Sequence, residues 1–132
     1  LDISANSIAF ARNAFSKNDF YCEKFEEFEV RNNKFKLIYS SEVIEHVVDI
    51  DSYMNFLIHN TADRGYVYIT TPNIDSPLVP ENILDWDVFN PPRHVQFFRP
   101  ENLRRLFEDR GFSVRKRFRG PKAGLRYLFR KN

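Results

Sequence analysis

The chain has 132 residues, of which 42% are hydrophobic and 16% aromatic, and a formal net charge of +2. This suits a single domain, 1–132, with a real core and no room for a second. No run of about 18 apolar residues and no charged-then-apolar N-terminus occurs, which argues against a membrane-spanning helix and a signal peptide. The single cysteine, Cys22, cannot close an internal disulfide and reads as a small buried hydrophobe, and the expected location is cytoplasmic.

Leu1-Asp2-Ile3-Ser4 reads as the end of a strand. A helix follows at once, capped by Ser4 or Asn6, with Ile8, Ala11 and Phe15 on one face. A chain that begins at the end of a strand suggests a cut. Asp19–Cys22 is a short strand candidate, and Glu23–Glu29 a loop or helical turn. Phe35–Tyr39 is the next strand, running into Ser40-Ser41. Ile50, Tyr53, Met54, Leu57 and Ile58 then recur at the spacing of an amphipathic helix. Gly65 is expected to break that helix, and Tyr66–Thr70 to form a β-branched and aromatic strand ended by Pro72.

A long irregular stretch follows, about 73–99, of the length that often serves as a lid or binding loop. The next helix opens at Pro100, buries Leu103, Leu106 and Phe107, and stops before Gly111. Two strands, Ser113–Phe118 and Leu125–Phe129, separated by Gly120-Pro121, predict a hairpin. The order of elements is α/β: a mostly parallel sheet closed by a C-terminal antiparallel hairpin.

Charge is segregated. All 18 acidic residues precede Arg110, and from Arg110 to Asn132 there are nine basic residues and no acid. Such a tail can engage an anionic partner such as RNA. The plainer reading is an edge hairpin whose long basic side chains pair with the acidic body. No aromatic recognition motif accompanies the charge within the tail, which favours the plainer reading.

Several residues can carry chemistry. An acid at the carboxyl end of a strand, such as Asp2, can accept two ribose hydroxyls of an adenosine group; it can equally cap the helix that follows. His94 lies near neutral titration and can accept a proton from an acceptor hydroxyl. Trp86 can wall a pocket, or it can anchor the loop together with Phe97 and Phe98. Histidine and carboxylate groups can ligate a metal, but no pair stands at a helical ligand spacing, so no metal is expected.

The order and spacing of Leu1–Ser4, Ala11-Arg12, Ser40–Val47 (SSEVIEHV), Thr71-Pro72-Asn73 and Arg93–Phe112 resemble the C-terminal two-thirds of a class I S-adenosylmethionine-dependent methyltransferase. The likeness is to the small-molecule type that includes ubiquinone-biosynthesis O-methyltransferases. It implies an incomplete Rossmann-like sheet and S-adenosylmethionine as cofactor. By that match Asp2 and Ile3 contact the cofactor, with Ser41, and Glu23 by a one-residue shift; Lys24 stands where the family places an acid. The resemblance further implies that His46 and His94 serve in catalysis, and that Glu42, Asn73, Trp86 and Arg93 line the pocket of a small-molecule acceptor. His46 can alternatively cap the next segment. The family's first strand and glycine-rich loop have no counterpart here, so this polypeptide alone is expected to be inactive.

Overall fold

The computed structural model describes residues 1–29, 34–120 and 123–132. Its contacts divide the chain into two compact units, Leu1–Arg31 and Asn32–Asn132, each described in turn.

In the smaller unit, helix α1 spans Ala5–Ala14. Ser4 caps it: the hydroxyl accepts from the Ser7 amide at 3.2 Å, satisfying a first-turn donor that has no partner within the helix. Of the expected apolar face only Ile8 is buried, and Phe15, one residue past the helix, is 62% exposed. The strand expected at Asp19–Cys22 reduces to one parallel bridge between Cys22 and Asp2. Cys22 is exposed rather than buried, and its thiol donates to the Ile3 carbonyl at 3.7 Å.

The larger unit is built on a four-stranded sheet. Strand β1 spans Phe35–Ser41 and is followed by a short 3-10 turn, Ile44–His46. Helix α2, Ile50–Asn60, starts at Asp49, whose carboxylate accepts from the Ser52 amide at 3.0 Å and the Ser52 hydroxyl at 2.7 Å. These bonds hold the Asp49 carboxyl below its usual range. Strand β2, Thr61–Pro72, begins directly after α2, five residues earlier than its sequence pattern suggests. Gly65 therefore does not end the helix. It lies inside β2, where a Cβ would sit 2.8 Å from the Ala62 carbonyl oxygen and 2.9 Å from the Thr61 methyl.

Helix α3 covers Pro100–Glu108, with proline in its first turn, and Gly111 adopts φ 83 just beyond it. Strands β3, Phe112–Arg117, and β4, Gly124–Lys131, form the expected antiparallel hairpin. Pro121 of the expected turn lies outside the described residues. The strand order is β1-β2-β4-β3. β1 and β2 are parallel; β4 runs antiparallel to both β2 and β3. The sheet thus holds one parallel pair rather than a parallel majority, because the second strand of the hairpin inserts beside β2 and turns both neighbouring pairs antiparallel.

Alternation along the strands sets the core. Val67, Ile69 and Thr71 of β2 lie opposite Phe129, Tyr127 and Leu125 of β4, and all six are buried. Tyr53, Met54 and Leu57 of α2 and Leu103 and Phe107 of α3 are buried as well. Phe107 stacks on Phe129 at 4.1 Å and meets Phe112 edge-on at 5.5 Å.

The basic tail is partly committed to this framework. Arg110 bonds Asp51, and the Lys131 ammonium donates to the Ile58 and Thr61 carbonyls at 2.8 and 3.0 Å, at the C-terminal end of α2. Lys116 lies over Phe118 at 4.8 Å and Arg117 over Tyr127 at 5.8 Å. These contacts support the plainer, structural reading of the tail.

Candidate functional site

The carboxyl ends of β1 and β2 carry the densest polar chemistry among the described residues of the larger unit. The Glu42 amide donates to the Thr70 carbonyl at 3.0 Å, closing β1 onto β2. Glu42 then takes φ 53, a left-handed backbone that is unusual for a residue with a side chain and turns the chain out of the strand. Its carboxylate accepts from the Thr70 hydroxyl at 2.7 Å. With the Thr70 proton so used, the Ser41 hydroxyl, 2.7 Å from Thr70 Oγ1, donates to it. Ser41, Thr70 and Glu42 thus form a directed chain. Behind them the Ser40 hydroxyl and Tyr53 phenol lie 2.6 Å apart. Burial, opposed by that bond and aided by the nearby Glu45 charge, pushes the Tyr53 pKa up to about 12.

The 3-10 turn after β1 presents Glu45 and His46. Glu45 is 1% exposed. The Thr71 hydroxyl donates to its Oε2 at 3.0 Å, and Oε1 is buried with no hydrogen-bond partner. Burial in this setting raises the Glu45 pKa, and the neighbouring Glu42 charge adds to the effect; hydrogen bonds to the Glu45 carboxylate and the His46 charge oppose it.

The long loop folds back onto this turn. The Val95 and Gln96 amides both donate to the Glu45 carbonyl, at 2.9 and 3.1 Å. His46 Nδ1 lies 2.7 Å from the Arg93 carbonyl oxygen, and His94 Nδ1 lies 2.6 Å from that of Val88. A carbonyl can only accept, so both rings carry their proton on Nδ1 and, when neutral, keep a lone pair on Nε2. The two ring centroids are 4.6 Å apart.

The structure therefore brings His46 and His94 together across 47 residues of sequence and adds Glu45. The ligand-capable atoms of these three lie within 4.8 Å of one another. Imidazole nitrogen and carboxylate oxygen are donors that hold a divalent ion, so this trio is where one could bind. Sequence spacing could not show it, because the set combines adjacent residues with one from a distant loop.

The remaining expected residues fall as follows. Arg93 is exposed and enters the site through its backbone carbonyl. Trp86 is 7% exposed, and its backbone bridges the Ile83 carbonyl and the Phe89 amide. That burial is what a loop anchor requires. Asn73 is buried: its Oδ1 accepts from the Asp75 amide at 3.1 Å, and its backbone pairs with Phe98. In the smaller unit the Asp2 carboxylate accepts from the Ser4 amide at 2.7 Å, Ile3 is 76% exposed, and Glu23 lines a cavity of about 250 Å3 with Tyr21, Glu27, Phe28 and Glu29. Glu45, Thr70 and Thr71 were not anticipated as site residues. The glutamate immediately before His46 in E-V-I-E-H was the available signal.

Comparison with known proteins gives one consistent picture. The profile of the family described as "Methyltransferase domain" matches residues 1–117. A ubiquinone biosynthesis O-methyltransferase of Sinorhizobium fredii is 25% identical over 86% of this chain, and the chain spans half of that relative's length. Among solved structures, N-methyltransferase NodS from Bradyrhizobium japonicum WM9, in complex with S-adenosyl-L-homocysteine, superposes with a TM-score of 0.70 at 15% identity, covering 98% of this chain and 64% of that one. An S-adenosylmethionine-dependent methyltransferase from Mesorhizobium loti gives a TM-score of 0.74 at 14% identity, covering 98% and 78%. At these identities the structures speak for the fold.

Proposed function

Because this chain belongs to the methyltransferase domain family, we propose that it is the C-terminal part of an S-adenosylmethionine-dependent enzyme that methylates a small-molecule acceptor, and that by itself it does not catalyse transfer. The observation that carries the acceptor-site reading is the convergence of His46, His94 and Glu45 at the carboxyl end of a parallel strand pair, where open α/β sheets bind their ligands.

The cofactor contacts are proposed within each unit by itself. In the smaller unit, the Asp2 carboxylate has acceptor capacity beyond the Ser4 amide, as a ribose diol requires, and Ile3 is an exposed apolar neighbour. Glu23 shares its cavity with two aromatic side chains, which suits a flat ring. In the larger unit, Ser41 stands at the end of β1. When bound, S-adenosylmethionine supplies an electrophilic methyl group on a sulfonium, so the protein's part is to place the acceptor and manage its proton.

For a hydroxyl acceptor, an Nε2 lone pair of His46 or His94 takes the proton. The fixed Nδ1–H bonds hold both rings in the tautomer that can do so. Glu42, Asn73, Trp86 and Arg93 are proposed to shape the acceptor pocket. The test is calorimetric titration of S-adenosylhomocysteine into this chain and into a form extended upstream by about 45 residues, enough for a further strand–helix unit. Binding by the longer form alone supports the proposal. Binding by neither removes it.

A further inference from the structure

We infer that the outer edge of β1 is a self-association surface whose occupant is a second copy of this chain, paired antiparallel through the same strand. β1 ends the strand order, and among the described residues no strand ladders onto its other side. Such an edge offers a row of backbone donors and acceptors for a further strand, and edge strands are commonly protected by proline, a bulge away from the sheet or several charges. β1 has no proline and a single charge, Lys36. On its pleat Leu37 is 55% and Tyr39 67% exposed, and Tyr39 is already held by stacking on Tyr68 at 5.2 Å with the rings 9° from parallel. An ordered aromatic costs little further entropy on association.

The sequence of the edge is self-complementary. The strand has seven residues and its centre is Ile38, so a two-fold axis through Ile38 overlaps it along its full length. In that register Leu37 meets the partner's Tyr39, and Tyr39 meets the partner's Leu37, an aliphatic–aromatic cross-strand contact repeated on both sides of the axis. Lys36 meets the partner's Ser40. Lys34, one residue before the strand, comes opposite the partner's Glu42, one residue beyond it. No like charges face each other. The sheet then runs unbroken through the axis, and each copy brings a lysine to the end of the other's β1, beside the chain formed by Ser41, Thr70 and Glu42.

Sedimentation velocity of the 132-residue chain over about a hundredfold range of concentration should show a reversible monomer–dimer equilibrium. Leu37→Lys changes an exposed side chain, so the fold should persist by circular dichroism while the dimer weakens at least about tenfold. In a Cys22→Ser background, Ile38→Cys should oxidise to an inter-chain disulfide, since residue 38 meets itself at the axis, whereas Lys34→Cys should not. A monomer throughout the range, a dimer indifferent to Leu37→Lys, or cross-linking at 34 in place of 38 would each overturn the assignment. So would a form extended upstream that stays monomeric, because the edge would then belong to a strand of the same molecule.

Discussion

The Thr71 hydroxyl donates to one oxygen of the Glu45 carboxylate at 3.0 Å, while the other oxygen lies buried without a partner. This half-satisfied carboxylate stands beside two histidines, and the backbone of its own residue grips the loop at Val95 and Gln96. A buried polar group left short of partners costs stability, and its retention next to two imidazoles fits a place built for a ligand rather than for folding.

Glu45 should make stability depend on pH in a definite direction. Its pKa is raised in the folded state, so the folded chain holds a proton that the unfolded chain has released. The cost of burying the charge is absent at pH values below the ordinary 4.5 and grows as pH rises from there through the folded value. In urea titrations across that window, the stability of the wild type relative to Glu45→Gln should fall as pH increases. A constant difference would refute the assignment.

Thr71→Val removes the donor to Glu45 Oε2 while keeping the side-chain shape. It should cost about 1–3 kcal/mol near neutral pH, the penalty for leaving a buried acceptor unpaired. Thr71→Ser retains the hydroxyl and should recover most of that loss. Equilibrium denaturation of the two variants decides the point.

On the proposed reading, His46→Ala and His94→Ala in the upstream-extended protein should slow methyl transfer. Loss of a positioned base typically costs about 10²–10⁴-fold. Binding of S-adenosylhomocysteine should change little. A variant that loses cofactor binding and turnover together would reassign that histidine to the cofactor.

The stacked pair Phe107 and Phe129 joins α3 to the centre of the sheet. Phe107→Ala opens a cavity at a fully buried position and should destabilise the larger unit by about 3–5 kcal/mol. Loss of the near-ultraviolet aromatic circular dichroism signal at a lower urea concentration would register it.

Where local chemistry decides the outcome, the sequence was sufficient. Ser4 and Asp49 cap α1 and α2 because their side-chain oxygens reach amides three residues on, a contact set by short-range geometry. The apolar spacing of Tyr53, Met54 and Leu57 fixed the buried face of α2, and Pro100 the start of α3. The sequence likewise singled out His46 and His94. What it could not determine depends on pairings between distant segments. Whether β4 or β3 docks on β2 is a choice of edge, open to both strands of a hairpin, and it alone set the balance of parallel and antiparallel pairs. Thr61–Gly65 became strand because β1 and β4 offered partners, against a local pattern that placed the break at Gly65. Glu45 reads as one more acidic residue until the fold closes over it. Its burial, its unpaired oxygen and its two histidine neighbours exist only because the loop returns to the end of β1, and a contact across some fifty residues of chain leaves no periodic trace in the sequence.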